Sequence, residues 1–270
     1  MSESPLGKTV DYDASYDPDL LFAIARRPGR EALGLGAPLP FKGWDIWTAY
    51  ELSWLDPKGK PQVACAQISV PAESPYIVES KSLKLYLNSL NQQRIADVAT
   101  LRATIERDLT PRLGIAPEVE VWLPETWTHP APAEPAGECI DTIDIAIEHY
   151  QPAPQLLCNR SSEIVTESLY SRLLRSRCPV TGQPDWATLY IDYTGPAIDR
   201  AALLAYIVSF RLHQDFHEHC VERIFCELQR HCAPQQLSVY ARYLRRGGLD
   251  INPFRSSGAL PPPARRCFRQ

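Results

Sequence analysis

Hydrophobic and polar residues alternate along several stretches of the chain, a pattern typical of half-buried β-strands. From Trp44 to Trp54 every second residue is apolar or aromatic or carries a threonine, so these side chains share one face. The turn signal DPKGK at 56–60 follows, and Val63 to Val70 then predicts a second strand. Further strands are predicted at 119–123, 143–147, 186–193 and 237–243.

Apolar residues at helical spacing predict helices after these strands. Leu83, Tyr86, Leu87 and Leu90 fall at i, i+3, i+4 and i+7 in VESKSLKLYLNSL, which defines a core-facing stripe. More helices are predicted around 95–105, at 199–210 and at 217–231. Strand pairs followed by helix pairs, twice along the chain, predict an α+β fold with antiparallel sheets.

A proline-rich stretch divides the chain. PETWTHPAPAEPAGE at 124–138 is typical of a linker or a long loop. We therefore predict two modules, at residues 1–137 and 138–270. Residues 1–40 are punctuated by proline and glycine, and we expect them to wrap a surface.

Composition narrows the class of protein. A hydrophobic fraction of 44% in 270 residues allows a sizeable core, and a net charge of −4 without a basic stripe gives no reason to expect nucleic-acid binding. No apolar run approaches 18 residues and no secretory signal is visible, so we expect no membrane contact. The eight cysteines form no CxxC pair, which favours a reduced cytoplasmic protein whose cysteines are mostly small core residues.

The stretch RSRCPVTGQPDW at 175–186 contains the first candidate chemistry. Arg175 and Arg177 flank Cys178 and would favour its thiolate, the nucleophilic form. Asp185 follows seven residues later, after a turn, and could act as an acid or a base. A surface loop with an incidental cysteine is the alternative, and spacing alone favours it.

The stretch HQDFHEHC at 213–220 contains a second candidate. His213 and His217 are spaced i, i+4, so on a helix they could bind zinc. The alternative is a solvated helix start, where Glu218 lies favourably near the helix dipole. Because no third ligand is clearly placed, spacing favours the second interpretation.

Two further stretches could bind an anion. In RRGGLDINPFR, Arg246 suits a phosphate and Gly247 lets the backbone approach a ligand, although a strand-ending turn is equally compatible. In ESKS, the N–H groups of a helix N-terminus could hold a phosphate beside Lys81, or the segment could be an ordinary cap. Lys84 shares the polar face one turn inside the helix, and its loss should cost less than that of Lys81 if it is only solvated.

Taken together, four motifs resemble a known family. They are ESKSLKLY at 79–86, CPVTGQPDW at 178–186, FHEHCVERIF at 216–225 and RRGGLDINPFRS at 245–256. They resemble those of the NADPH-dependent 7-cyano-7-deazaguanine reductases, the nitrile reductases of queuosine biosynthesis, in their long two-module form. The resemblance runs from Val78 to Ser256. It implies the tunnelling fold, in which modules of antiparallel sheet plus two helices assemble and sites form where subunits meet, so we expect a homodimer.

The resemblance also implies roles for individual residues. Cys178 would add to the nitrile to form a thioimide, and Asp185 would supply a proton. NADPH would then reduce the adduct to the 7-aminomethyl base, with no metal and no direct contact to nucleic acid. The deazapurine would be bound by Val78, Glu79, Ser80, His217 and Glu218. The cofactor would be bound by Ser80, Lys81, Arg246 and Gly247.

Two alternatives remain compatible with parts of the sequence. A zinc-dependent hydrolase of the same fold, related to GTP cyclohydrolase, would use Cys178 and a histidine as metal ligands. A non-catalytic purine-binding protein would keep Glu218 but would have no use for a cysteine paired with an aspartate. The ESKSLKLY motif favours the reductase over both.

Overall fold

Long strands joined in pairs and followed by paired helices make up most of the chain. The computed structural model describes residues 15–127, 136–258 and 270. Its strands are β1 (Ala23–Ala25), β2 (Lys42–Leu55), β3 (Pro61–Pro71), β4 (Tyr76–Val78), β5 (Glu118–Trp122), β6 (Glu138–Cys139), β7 (Asn159–Arg177), β8 (Pro184–Ile198), β9 (Gln236–Tyr243) and β10 (Leu249–Ser256). Its α-helices are α1 (Arg27–Ala32), α2 (Ser80–Ser89), α3 (Val98–Leu113), α4 (Arg200–Ser209) and α5 (His217–Cys232). The predicted α+β class is confirmed, and none of the helices in these ranges is long and apolar enough to cross a membrane.

The chain forms two units that are not continuous in sequence. The first holds the described residues within 1–28, 45–129 and 245–251, and the second those within 29–44, 130–244 and 252–270. The division into modules at 1–137 and 138–270 stays a prediction.

In the first unit, two helices cover a small antiparallel sheet. β3 pairs with β5 from Cys65 opposite Trp122 to Ser69 opposite Glu118. β1 and β4 form a separate two-stranded antiparallel sheet. The predicted apolar stripe of α2 faces the core, since Leu83, Tyr86, Leu87 and Leu90 are at most 7% exposed. They pack with residues of β2 and α3 in one hydrophobic cluster, which buries the apolar side of both helices.

In the second unit, the sheet is longer and wholly antiparallel apart from β6. β8 pairs with β7 on one side and with β9 on the other, and the end of β10 pairs with β9. The helices α4 and α5 supply buried apolar residues, among them Leu203, Ile207, Ile224 and Phe225. This unit holds the hairpin that carries the predicted catalytic residues.

Each unit has an equivalent buried hydrogen bond between its two helices. Tyr86 donates to Asp108 across α2 and α3 in the first unit, and Tyr206 donates to Glu227 across α4 and α5 in the second. Each tyrosine is the seventh residue of its helix. Burial and the acid partner raise the pKa of both hydroxyls, which therefore stay protonated donors. The matching bonds support a duplicated module.

One predicted strand is wrong. Residues 143–147 form no strand, although their alternation leaves the isoleucines half-buried. The pairing of β6 with β7 covers two residues only. Beyond it the carboxylate of Asp141 accepts hydrogen bonds from Ser171 Oγ and from the N–H of Arg172. A side chain thus takes the place of the next backbone carbonyl, and the ladder ends.

One long strand was not predicted. β7 extends over 19 residues, and its first half is polar and largely exposed. Without apolar alternation this half has no sequence signature, although it pairs with β8. Within residues 15–40 the chain also forms β1 and α1, where only a wrapping segment was expected.

A buried cluster of charges joins three segments of the second unit. Glu222 of α5 accepts two hydrogen bonds from Arg30, at 2.8 and 3.0 Å, and two from Arg255, at 2.9 and 3.2 Å. Glu222 and Arg255 are fully buried. Each guanidinium also lies over the ring of Phe41, at 6.0 and 5.5 Å from its centroid. Removal of the shared carboxylate would leave two guanidiniums without their partner.

We predict that Glu222→Ala lowers the free energy of unfolding by about 3–5 kcal/mol, the usual cost of breaking a buried ion pair. Urea unfolding followed by circular dichroism measures it. The exposed Glu163 is the control, and Glu163→Ala should change stability by less than about 0.5 kcal/mol. An equal loss of unfolding free energy in the two variants would show that the buried charge cluster does not stabilise the fold more than an exposed glutamate does.

Candidate active site

The β7–β8 hairpin places the predicted nucleophile and its acid on one side. Asp185 lies directly opposite Ser176 in the antiparallel register. Cys178 follows Ser176 by two residues, and its N–H bonds to the carbonyl of Gln183 at 2.9 Å, which continues the pleat by one residue. Side chains two residues apart share a face, so Cys178 and Asp185 are diagonal neighbours. Both are buried, at 6% and 5% exposure.

A second segment follows the far edge of β7 and leads into helix α5. Arg177 donates its N–H to the carbonyl of His213 at 2.8 Å, and its carbonyl accepts from the N–H of Asp215 at 3.2 Å. α5 then begins at His217, with no side-chain cap from Phe216. His217 and Glu218 therefore enter the helix beside the end of the hairpin.

His217 meets both Asp185 and an aromatic ring. Its Nε2 lies 3.4 Å from Asp185 Oδ2. Its ring stacks on that of Tyr243, with centroids 3.7 Å apart and planes inclined by 2°. Its Nδ1 is buried and has no hydrogen-bond partner in the described part of the chain. Glu218, the next residue, is 2% exposed. The second unit thus brings Cys178, Asp185 and His217 close to one another, and Glu218 follows His217 in the first turn of α5.

The predicted histidine pair does not share a helix. His213 precedes α5, so the assumption that His213 and His217 lie on one helix was wrong. His213 instead lies 3.5 Å from Asp215, which is also 3.1 Å from His219 Nδ1. Within the described ranges, no group of three or more His, Cys, Asp or Glu side chains is arranged to hold a metal ion.

Asp215 and His219 perturb each other. Burial alone would lower the pKa of His219, but the hydrogen bond and charge of Asp215 outweigh it and the pKa is raised. Burial likewise opposes ionisation of Asp215, yet hydrogen bonds from His213 and His219 hold its pKa well below the usual range. Where both groups are ionised, the pair stabilises the segment that carries His217.

In the first unit, the start of α2 is capped by its own preceding residue. The carboxylate of Glu79, 1% exposed, accepts the N–H groups of Lys81 and Ser82, both at 2.8 Å. The N–H groups expected to be free for a phosphate are therefore bonded, and the ESKS segment is a helix cap in this structure. Ser80 and Lys81 remain partly exposed.

The two glycines after Arg246 form a tight turn. The backbones of Arg246 and Leu249 bond to each other in both directions, and φ is +59° at Gly247 and +78° at Gly248. Positive φ at both central residues is the type I′ hairpin that glycine favours. The turn that the sequence predicted after Arg246 is therefore present. A Cβ at Gly247 would lie 2.8 Å from Lys84 Nζ, so glycine also allows this lysine to approach.

Lys84 is more than a solvated residue. It lines a cavity of about 100 Å³ together with Glu51, Asn88, Gly247 and Gly248, and its Nζ lies 4.0 Å from a Glu51 carboxylate oxygen. Its place beside this turn was not predicted. It was missed because sequence spacing places Lys84 on α2 but does not reveal which turn approaches it.

Tyr243 was the other residue missed by sequence reasoning. The alternation in LSVYARY predicts a strand at 237–243 but assigns Tyr243 no role. Only the tertiary structure shows that its ring contacts His217.

A buried thiol on the same face as an acid, with a histidine against that acid, is an arrangement suited to covalent catalysis by cysteine. The comparisons agree. Residues 12–122 match a family model described as nitrile reductase, 7-cyano-7-deazaguanine-reductase N-term, and residues 184–261 match one described as QueF-like protein.

Curated relatives cover almost the whole chain. The NADPH-dependent 7-cyano-7-deazaguanine reductase of Bordetella avium is 54% identical over 98% of this chain and 97% of its own. That of Bordetella pertussis is 57% identical with the same coverage, and that of Chromobacterium violaceum is 54% identical over 99% of this chain and 96% of its own. The chain belongs to the family of NADPH-dependent 7-cyano-7-deazaguanine reductases, which confirms the resemblance.

A solved structure described as the archaeosine synthase QueF-Like in the apo form also aligns. It covers 38% of this chain and 100% of its own, with 17% identity and a TM-score of 0.32.

We predict that Asp215→Asn destabilises the protein in a pH-dependent way. Because the pKa of Asp215 is lowered, its contribution to the free energy of unfolding is present above about pH 4 and is lost as the pH falls. Because the pKa of His219 is raised, its contribution is present below about pH 6.5 and is lost as the pH rises through the folded-state pKa. The variant should therefore lose about 1–3 kcal/mol at pH 6 and less at pH 9.

Urea unfolding at the two pH values measures the loss. The exposed Glu148 offers the matched change, and Glu148→Gln should have little effect at either pH. A loss from Asp215→Asn that is the same at pH 6 and pH 9 would contradict the role of the ionised pair.

Proposed function

We propose that this chain reduces the nitrile of 7-cyano-7-deazaguanine to the aminomethyl group of 7-aminomethyl-7-deazaguanine, with NADPH as the reductant, in queuosine biosynthesis. The family supplies the substrate and the cofactor. The observation in the structure that supports it best is the buried Cys178 beside Asp185, with His217 against the acid.

Cys178 makes the nitrile reducible. A nitrile is a poor hydride acceptor, and addition of the Cys178 thiolate to its carbon forms a C–S bond and leaves negative charge on nitrogen. Asp185 gives that nitrogen a proton, which completes the thioimide. NADPH, when bound, would supply one hydride from each of two molecules, four electrons in all. The second reduction takes one more proton at the same nitrogen, which Asp185 or His217 would deliver. Between the two reductions the C–S bond breaks and Cys178 is released as thiolate.

Asp185 is suited to supply the proton because it is buried and has a proton source beside it. His217 Nε2 lies 3.4 Å away and can pass a proton to the carboxylate. The predicted help of Arg175 in forming the thiolate stays a prediction. Its guanidinium lies over the Trp186 ring and donates to the carbonyl of Arg211.

Recognition of the base falls to residues at the start of α5. A guanine-like ring presents two adjacent N–H donors, which the carboxylate of Glu218 can accept in parallel. His217 Nδ1 is buried without a partner in the described residues, so a polar atom of the base would satisfy it. Val78, Glu79 and Ser80 are proposed to contact the base as well. A carboxylate has about four lone-pair positions, so the three bonds that the Glu79 carboxylate accepts from α2 leave capacity for one further bond to a ligand.

Cofactor binding is assigned to the first unit. Ser80, Lys81, Arg246 and Gly247 all belong to it. Because Glu79 occupies the N–H groups of Lys81 and Ser82, we assign the phosphate contact to the Lys81 ammonium and to Arg246 rather than to the helix N-terminus. The close approach of Lys84 to Gly247 makes Lys84 an additional cation beside this turn.

We infer that the protein acts in the cytoplasm as a homodimer and does not bind nucleic acid directly. The cysteines of the described residues are free thiols, as expected in a reducing compartment. The substrate is a free base, so no nucleic-acid surface is needed.

We predict that the protein incubated with 7-cyano-7-deazaguanine, without NADPH, gains the mass of the nitrile, and that Cys178→Ala does not. Intact-protein mass spectrometry measures both. The exposed Cys158 provides the control, because Cys158→Ala should still form the adduct. If the wild type turns over with NADPH but never gains this mass, the thioimide is not an intermediate.

We predict that Lys81→Ala raises the dissociation constant of NADPH roughly ten- to hundredfold, the loss of one charge-assisted hydrogen bond of about 1.5–3 kcal/mol. Lys84→Ala should weaken binding less, because Glu51 already offsets part of its charge. Fluorescence titration with NADPH measures both. Adduct formation in the absence of NADPH should be unchanged in each variant.

Two results would contradict this assignment. If Lys81→Ala binds NADPH like the wild type, the segment serves as a helix cap only. If the same variant abolishes adduct formation, the segment shapes the base site, and the cofactor is held mainly by Arg246 and its glycines.

A further inference from the structure

Tyr243 contacts His217 over its whole face. The two rings are parallel within 2° at 3.7 Å between centroids, and Tyr243 is fully buried at the end of β9. A histidine ring otherwise rotates readily about its last side-chain bond, because that torsion is broad. A parallel ring in full contact prevents this rotation, since turning the imidazole out of its plane would drive its edge into the phenol ring.

The orientation so fixed is the one that serves Asp185. With the ring in this plane, Nε2 lies 3.4 Å from Asp185 Oδ2. Rotation of the imidazole would separate these atoms. His217 Nδ1 has no hydrogen-bond partner within the described residues, so no bond from that side fixes the ring. The stacking contact is therefore the main constraint on the His217 plane.

Tyr243 is itself held by side chains. Its N–H donates to Asn252 Oδ1 at 3.1 Å, and its carbonyl accepts from Gln270 Nε2 at 2.8 Å. The same Gln270 nitrogen lies 2.9 Å from Asn252 Oδ1, and Gln270 Oε1 accepts from Arg242 Nε at 2.8 Å. Asn252 is fully buried and Gln270 is 5% exposed. Two amide side chains thus fix the backbone position from which the Tyr243 ring projects.

We propose that Tyr243 is a positioning residue for the reaction: it holds the imidazole of His217 against Asp185, and Asn252 and Gln270 hold Tyr243 in place. This inference rests on the proposed function of Cys178, Asp185 and His217. It predicts that the ring of Tyr243, and not its hydroxyl, matters for protonation of the nitrile nitrogen.

The test follows the rate of adduct formation at saturating nitrile, without NADPH, by rapid-quench mass spectrometry. Tyr243→Leu should slow this step roughly three- to tenfold, in line with loss of one aromatic contact. Tyr243→Phe keeps the ring and should restore the rate. Phe254→Leu is the matched control, because Phe254 is also a buried aromatic residue but its ring contacts the edge of Tyr240 and not His217, and it should leave the rate unchanged.

A double-mutant cycle separates positioning from general damage. In the Asp185→Asn background, Tyr243→Leu should cause no further loss of rate, because the acid it serves is gone. Gln270→Ala should slow adduct formation in the same sense as Tyr243→Leu and should also lose its effect in that background. If Tyr243→Leu does not fold, Gln270→Ala in the two backgrounds decides the question.

Three outcomes would overturn the proposal. They are a wild-type rate for folded Tyr243→Leu, a Tyr243→Phe variant as slow as Tyr243→Leu, and a loss from Tyr243→Leu or Gln270→Ala that is the same with and without Asp185. Failure of the proposed function is seen separately, as absence of the adduct in the wild type.

Discussion

The register of the β7–β8 hairpin is the constraint on which the site depends. Because side chains alternate strictly along a strand, a shift of one residue would turn Cys178 and Asp185 to opposite faces. The register is maintained along most of both strands, from Arg177 opposite Pro184 back to Asn159 opposite Ile198, with two irregularities. A long ladder therefore fixes the geometry of two residues at its end.

In the second unit, two segments that are distant in sequence, the start of α5 and the end of β9, lie beside this hairpin. The bonds of Arg177 to His213 and Asp215 bring the start of α5 to the end of β7. β9 contributes Tyr243, which stacks on His217. Each contribution depends on backbone pairing rather than on local sequence. This explains how Cys178 and Tyr243, which are 65 positions apart, can belong to one candidate site.

Much of the fold was predictable because apolar periodicity survives wherever one face of an element is buried. The stripe of α2 and the alternation in β8 and β9 are examples. The prediction failed at 143–147, where Asp141 ends the pairing, and at β7, whose exposed half has no apolar signal. At the candidate site, residue types predicted Cys178 and Asp185. The roles of Lys84 and Tyr243 depend on tertiary contacts that spacing does not encode.

The buried Glu222 has a consequence for how the chain can be divided. Its two arginine partners are Arg30 and Arg255, which are separated by more than 200 residues in sequence. A polypeptide that began at residue 138 would contain the carboxylate and Arg255 but would lack Arg30 and Phe41. The second half of the chain therefore depends electrostatically on Arg30, and we expect a polypeptide cut at the boundary predicted from the sequence to leave Glu222 with only one of its two arginine partners.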